Sequence, residues 1–156
     1  MFPTLESKGD ILRILEEITR SRKTILEVCG RLSTRQLHDP VYPGTWSVLQ
    51  NLQHLAWYEA WMLAWIQKRP HALPRAEWPP EVPLELAAIR TALDEAHAAV
   101  IAFLKRHPDA VLREHCQYAG LTHETVGGVL FHLIEHEFHH RAFVAHKLRV
   151  LTRQAG

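Results

Sequence analysis

Five of the twelve histidines fall between Phe131 and His146, in the run FHLIEHEFHHRAFVAH. His132, His136 and His140 are spaced four apart, and His139 lies seven residues after His132. On an α-helix, residues four apart have Cβ atoms about 5–6 Å apart. That is close enough for two imidazoles to share one ion through bonds of about 2.1 Å. Each step of four residues also turns about 40° further round the axis, so one ion takes two of the three, and a remaining ligand must come from another helix. His54 is a candidate, in an apolar stretch whose same side carries Asn51, Tyr58, Trp61 and Trp65. Alone, such a histidine reads as a hydrogen-bonded core residue; beside the cluster it reads as a ligand. Three histidine nitrogens leave coordination positions open for water and substrate, which is the catalytic arrangement of a divalent metal. Imidazole ligands suit zinc, nickel, copper and iron alike.

The same residues spell a competing motif. His136 to His140 reads H-E-x-x-H, and His146 stands ten residues after His136. In proteases with that extended pattern, a glycine three residues after the second histidine ends the helix and lets the third histidine return. Here that position is Phe143 and nothing breaks the helix before Leu151. His146 is then about 240° from His140 and cannot reach the same ion. Glu137 has two readings. As a neighbour of a ligand it could act as a general base on metal-bound water; as an ordinary helix glutamate it is solvated, which is the plainer expectation. Arg141 could hold an anionic substrate or pair with Glu59 or Glu137. Cys29 follows the apolar spacing of its helix and reads as a small core residue. Cys116 follows His115 directly, a spacing that sends the two side chains about 100° apart on a helix and makes a poor nucleophile and base pair. His97 reads as a supporting donor or a core histidine. His38, His71, His107, His115 and His123 fall in loops or at helix ends and are expected to meet solvent.

The elements that must position these groups are helices. From about Lys8 to Leu32, the residues Ile11, Leu15, Ile18, Ile25, Cys29 and Leu32 recur at helical spacing, interrupted only by Arg22. HDPVYPG, from His38 to Gly44, is a loop set by two prolines. A second helix opens at Ser47, where S-x-x-Q with Gln50 forms a capping box, and runs to about Lys68. Its second half is apolar on every side, so it must be covered on more than one side. Pro70, Pro74, Pro79, Pro80 and Pro83 make the next stretch a long, stiff connection. A third helix runs from about Leu84 to Arg106 and stops before Pro108. The fourth begins between Thr122 and Thr125 and continues to about Leu151, with Lys147, Arg149 and Arg153 near its end to complement the helix dipole. No segment alternates with a period of two, and no repeat is evident. The expectation is an all-α four-helix bundle, a single domain over residues 1–156, with a long Pro-rich crossover between helices two and three.

Composition excludes several alternatives. The chain has 156 residues and a formal charge of +1, with the two signs interspersed, so it carries no basic footprint for nucleic acid and no polybasic membrane anchor. Two cysteines are too few for a disulfide scaffold. The apolar run from Leu55 to Ile66 falls well short of the roughly 20 residues that span a bilayer. MFPTLESKGD has neither the basic nor the apolar region of a secretory leader, which points to the cytoplasm.

Two segments carry a family resemblance. TWSVLQNLQHLAWYE, with Trp46, Ser47, His54 and Glu59, and HLIEHEFHHR, with His132, His136, His140 and Arg141, resemble the DinB-like (damage-inducible) superfamily of metal-binding four-helix bundles. The family pattern is W-S…H-x4-E at the start of the second helix and H-x3-H-x3-H-R, usually followed by Gly-Gln, in the fourth. This chain has Ala142 and Phe143 in place of the Gly-Gln. The resemblance implies that His54, His136 and His140 bind a divalent metal, zinc or nickel, with His132 in a supporting or structural position. For activity the resemblance implies two outcomes, a metal-dependent transferase that activates a low-molecular-weight thiol of the bacillithiol, mycothiol or glutathione type and an isomerase of small acids that uses such a thiol; the first expectation is the transferase, acting on a small molecule. Two alternatives stand beside it: a hydrolase using metal-bound hydroxide, and a non-catalytic metal-binding stress-response protein. A homodimer is expected, and in the non-catalytic reading it forms through the tryptophan-rich second helix, whose tryptophans could otherwise line a pocket or belong to the core.

Overall fold

The computed structural model describes residues 5–69, 85–116 and 125–154. Five α-helices lie within them: α1 (Lys8–Cys29), α2 (Thr34–His38), α3 (Val48–Ile66), α4 (Leu86–Arg106) and α5 (Val126–Gln154). α1 starts where the Ser7 side chain accepts from the Asp10 N–H and stops at Gly30, whose N–H donates to Leu26 O. It is therefore shorter than its apolar spacing predicts, and Leu32 lies beyond it. The short α2 is an addition to the expected elements. Its Ser33–Gln36 capping box is the same S-x-x-Q signature that opens α3 at Ser47 and Gln50. A 3-10 turn, Asp109–Arg113, buries Val111 and Leu112 beyond the end of α4, and His115 pairs with Thr125 as an isolated antiparallel bridge just before α5. No strand forms among the described residues.

Apolar side chains gather in two clusters along the bundle. One joins Ile11, Leu15 and Ile18 to Met62, Val100, Leu104 and Leu130; the other joins Leu26 and Cys29 to Leu49, Leu52, Leu93 and Leu148. Chain order through these clusters gives the helix directions. α1 and α5 pass from the first cluster to the second, whereas α3 and α4 pass from the second to the first. α3 and α4 are thus parallel neighbours, and they make the most extensive helix pair in the fold. Two parallel helices need a connection that returns the length of the bundle, which is the role read for the Pro-rich crossover. Residues 70–84 themselves lie outside the described residues. The architecture is an all-α four-helix bundle with the short α2 added between its first two long helices.

Candidate metal centre

The α3 capping box fixes where that helix begins, and His54 lies two turns further on. Ser47 Oγ accepts from the Gln50 N–H, and Gln50 Oε1 accepts from the Ser47 N–H. α5 passes α3 so that His136 and His140 face His54. The ligand nitrogens of His54, His136 and His140 all lie within 4.8 Å of one another. His54 Nε2 and His136 Nε2 are 3.0 Å apart, and the three ring centroids are separated by 4.4–4.8 Å. Nδ1 of His140 is 3.0 Å from Asn51 Oδ1, while Asn51 Nδ2 donates to Ser47 O at 2.8 Å. That amide orientation makes His140 Nδ1 the donor and leaves its Nε2 as a lone-pair nitrogen.

Aromatic rings enclose the triad. Tyr58 stacks on His136 at 3.9 Å, and Trp46 stacks on His140 at 5.9 Å while meeting His54 edge-on at 5.0 Å. The surroundings hold the imidazoles neutral. Burial, helped by His140, pushes His54 down to about 4; burial and the neighbouring rings push His136 down to about 2; burial and His139 push His140 down to about 4. Neutral imidazole is the form that ligates a metal. The donor set therefore fits a borderline divalent ion held by nitrogen from two helices.

Beneath the triad lies a buried polar layer to which each long helix contributes one side chain. Arg22 of α1 donates to Glu59 Oε2 of α3 at 2.8 Å, and through Nε and Nη2 to the two oxygens of Glu137 on α5 at 3.1 and 2.7 Å. His97 of α4 places Nδ1 at 2.7 Å from Glu59 Oε1 and Nε2 at 2.9 Å from Leu15 O. Glu137 is 2% exposed, not the solvated glutamate expected from its sequence position. Both its oxygens accept from Arg22, a geometry that ties it into the bundle. Burial alone would raise Glu59, but Arg22 and His97 hold its carboxyl below the usual range.

The family model for the DinB superfamily matches residues 17–144. The chain belongs to the DinB superfamily. Among solved structures, it is similar to a DinB-like protein from Bacillus cereus ATCC 10987, with a TM-score of 0.70 and 23% identity over 100% of this chain and 95% of that one. That likeness shows the fold. No curated protein matches.

The remaining candidate residues of this DinB-superfamily chain fall outside the triad. His132 sits a turn away from His136 along α5, their ring centroids 6.3 Å apart. His139 is exposed and meets Phe143 edge-on. α5 continues unbroken through Phe143, and His146 hydrogen-bonds with the Tyr42 hydroxyl at 3.0 Å instead of approaching His140, so the protease-like spacing is not realised. Arg141 donates to Ser21 Oγ at 2.6 Å and lies over the Phe138 ring; among the described residues it pairs with neither Glu59 nor Glu137. Lys147, read from the sequence as a partner for the helix dipole, is buried and donates to Pro40 O and Thr45 Oγ1. His38 and His115 are exposed, His107 is half-buried with Nδ1 near Phe103 O, and His71 and His123 lie outside the described residues. Burial pushes the Cys29 thiol up to about 11 and raises that of Cys116. No helix among the described residues is long and apolar enough to cross a membrane.

Proposed function

We propose that this protein holds one divalent ion, zinc or nickel, on His54, His136 and His140 and is a metal-dependent transferase that joins a low-molecular-weight thiol to a small-molecule substrate. The thiol would be of the bacillithiol, mycothiol or glutathione type. The observation that carries the reading is the convergence of three neutral imidazoles from two helices, with donor atoms within 4.8 Å of one another. A bound divalent ion would lower the pKa of a thiol and orient it.

What the chain itself offers beside the triad favours a nucleophile brought from outside. Both cysteines are buried, and their thiols are raised above the ordinary range. Glu137, the base that a hydrolase would draw on, gives both oxygens to Arg22. Asn51 fixes His140, while Trp46 and Tyr58 screen two imidazoles from water. In this reading the protein works in the cytoplasm, where small thiols are kept reduced. It does so as a homodimer meeting through the half-buried Trp57, Trp61 and Trp65.

The decisive experiment is a titration of cobalt-substituted protein with bacillithiol, mycothiol and glutathione. A ligand-field spectrum that changes with one of them is the expected result. A spectrum unmoved by all three would sink the transferase reading. For the dimer, Trp61→Ser should yield a monomer in sedimentation with its metal content intact.

A further inference from the structure

A cavity of about 420 Å³ adjoins the triad on the side of His140 and Asn51. Its volume lies within the roughly 300–1,000 Å³ of small-molecule pockets. Trp46, Tyr42 and Phe143 form aromatic walls. Tyr42 and Phe143 are 44% and 50% exposed, two of the three strongly exposed large hydrophobic side chains among the described residues. Exposed aromatic rings gathered round a concavity mark a binding surface better than they mark a core. Phe143 also stands where the family pattern usually has glutamine, so this wall is a property of this chain.

Lys147 lines the same cavity and is 4% exposed. Its ammonium donates to Pro40 O and Thr45 Oγ1 and lies 5.5 Å from the centroid of the Tyr42 ring. Among the described residues no carboxylate lies within ion-pair distance of it, and burial lowers its pKa, only partly opposed by the charge of Asp39. A buried cation without a counter-charge is costly, and an anion seated among the aromatic walls would supply one. The loop that brings these groups together is held in an unusual shape. Val41 has a φ of 66°, and its N–H donates to Asp39 Oδ1 at 2.7 Å. A β-branched residue rarely takes that conformation, so the turn presenting Tyr42 is a specified one.

We infer that this cavity binds a planar aromatic carboxylate, its ring between Trp46, Tyr42 and Phe143 and its carboxylate on Lys147. Its meaning as the substrate class rests on the transferase reading above, since the cavity touches the triad at His140; the binding itself does not. Such a ligand would lie beside the imidazole that Asn51 orients.

The test uses 2-naphthoate and its uncharged analogue 2-naphthylmethanol, titrated calorimetrically into the full chain in metal-loaded and metal-free form. Naphthoate should bind saturably, and the alcohol about tenfold or more weakly, a gap of about 1.4 kcal/mol. Lys147→Met should erase that preference. Phe143→Gln, at a half-exposed site where no loss of fold is expected, should weaken both ligands. Absence of saturable naphthoate binding, equal affinity for acid and alcohol, or binding unaltered in Phe143→Gln would each overturn the inference. The two readings fail separately. Naphthoate binding with no thiol response of the cobalt protein keeps the pocket and removes the transferase; a thiol response without naphthoate binding does the reverse.

Discussion

At His140, one ring nitrogen is committed before any ion arrives. Its Nδ1 donates to Asn51 Oδ1, which selects the tautomer with a free Nε2. Groups that orient a ligand in this way are worth about 10–100-fold in metal affinity, and Asn51→Leu should show a loss of that size in competition with a chromophoric chelator. The ligands themselves should behave differently from their neighbours. His54→Ala, His136→Ala and His140→Ala should each lower the metal content measured by elemental analysis, and His146→Ala should keep it. Full metal in the His54 variant would refute the three-ligand assignment. Acid gives a second handle on the same rings. They stay neutral in the folded metal-free chain to about 4, about 2 and about 4, whereas an unfolded histidine takes up a proton near its ordinary 6.5. The unfolded state therefore binds more protons below about 6.5, and the metal-free fold loses stability as pH falls from there toward 4. Each 1 kcal/mol lost is about 2–4 °C in a chain of this size. Melting temperature should thus drop between pH 7 and 5, less steeply in His136→Gln; parallel slopes would contradict the buried, neutral state of that ring.

Arg22 joins three of the long helices. It reaches from α1 to α3 and α5, while His97 extends the same polar layer to α4 through Glu59. Removing the guanidinium strands two carboxylates in a buried place, and losing one partner of such a pair typically costs about 3–5 kcal/mol. Arg22→Leu should lower the urea midpoint accordingly, and Glu137→Gln should also destabilise. A Glu137→Gln variant of unchanged stability would return that residue to the role of a free base. This layer also marks where sequence reasoning ends. Four long helices follow from period and caps, and the triad follows from spacing joined to a family pattern. Arg22 reads only as a break in an apolar stripe, because its partners stand 37 and 115 residues away and no local pattern encodes them. Lys147 reads only as a partner for the helix dipole for the same reason, since its acceptors lie in the loop at Pro40 and Thr45. α2 is different: the S-x-x-Q signature at Ser33 is in the sequence, but two prolines close behind it make the whole region look like loop.

The polar layer separates two apolar clusters, and all four long helices supply residues to each of them. Neither cluster contains the histidine triad, so the bundle does not depend on an ion for its core. A chain of this length buries roughly 70% of its unfolded surface without metal. An ion held by the triad would instead link α3 to α5, and it would stabilise by binding the folded state alone. Chelator-treated protein should therefore keep its helical circular dichroism and unfold cooperatively. At a free zinc concentration about a thousand times the Kd, linkage gives about 4 kcal/mol, or a rise of about 8–16 °C in melting temperature. His54→Ala should abolish most of that rise while leaving the metal-free melting temperature little changed apart from the loss of packing at the one ring. Collapse of the helical signal on chelation would mean instead that the ion organises the bundle, and a zinc response undiminished in the His54 variant would place the stabilising ion somewhere other than between α3 and α5.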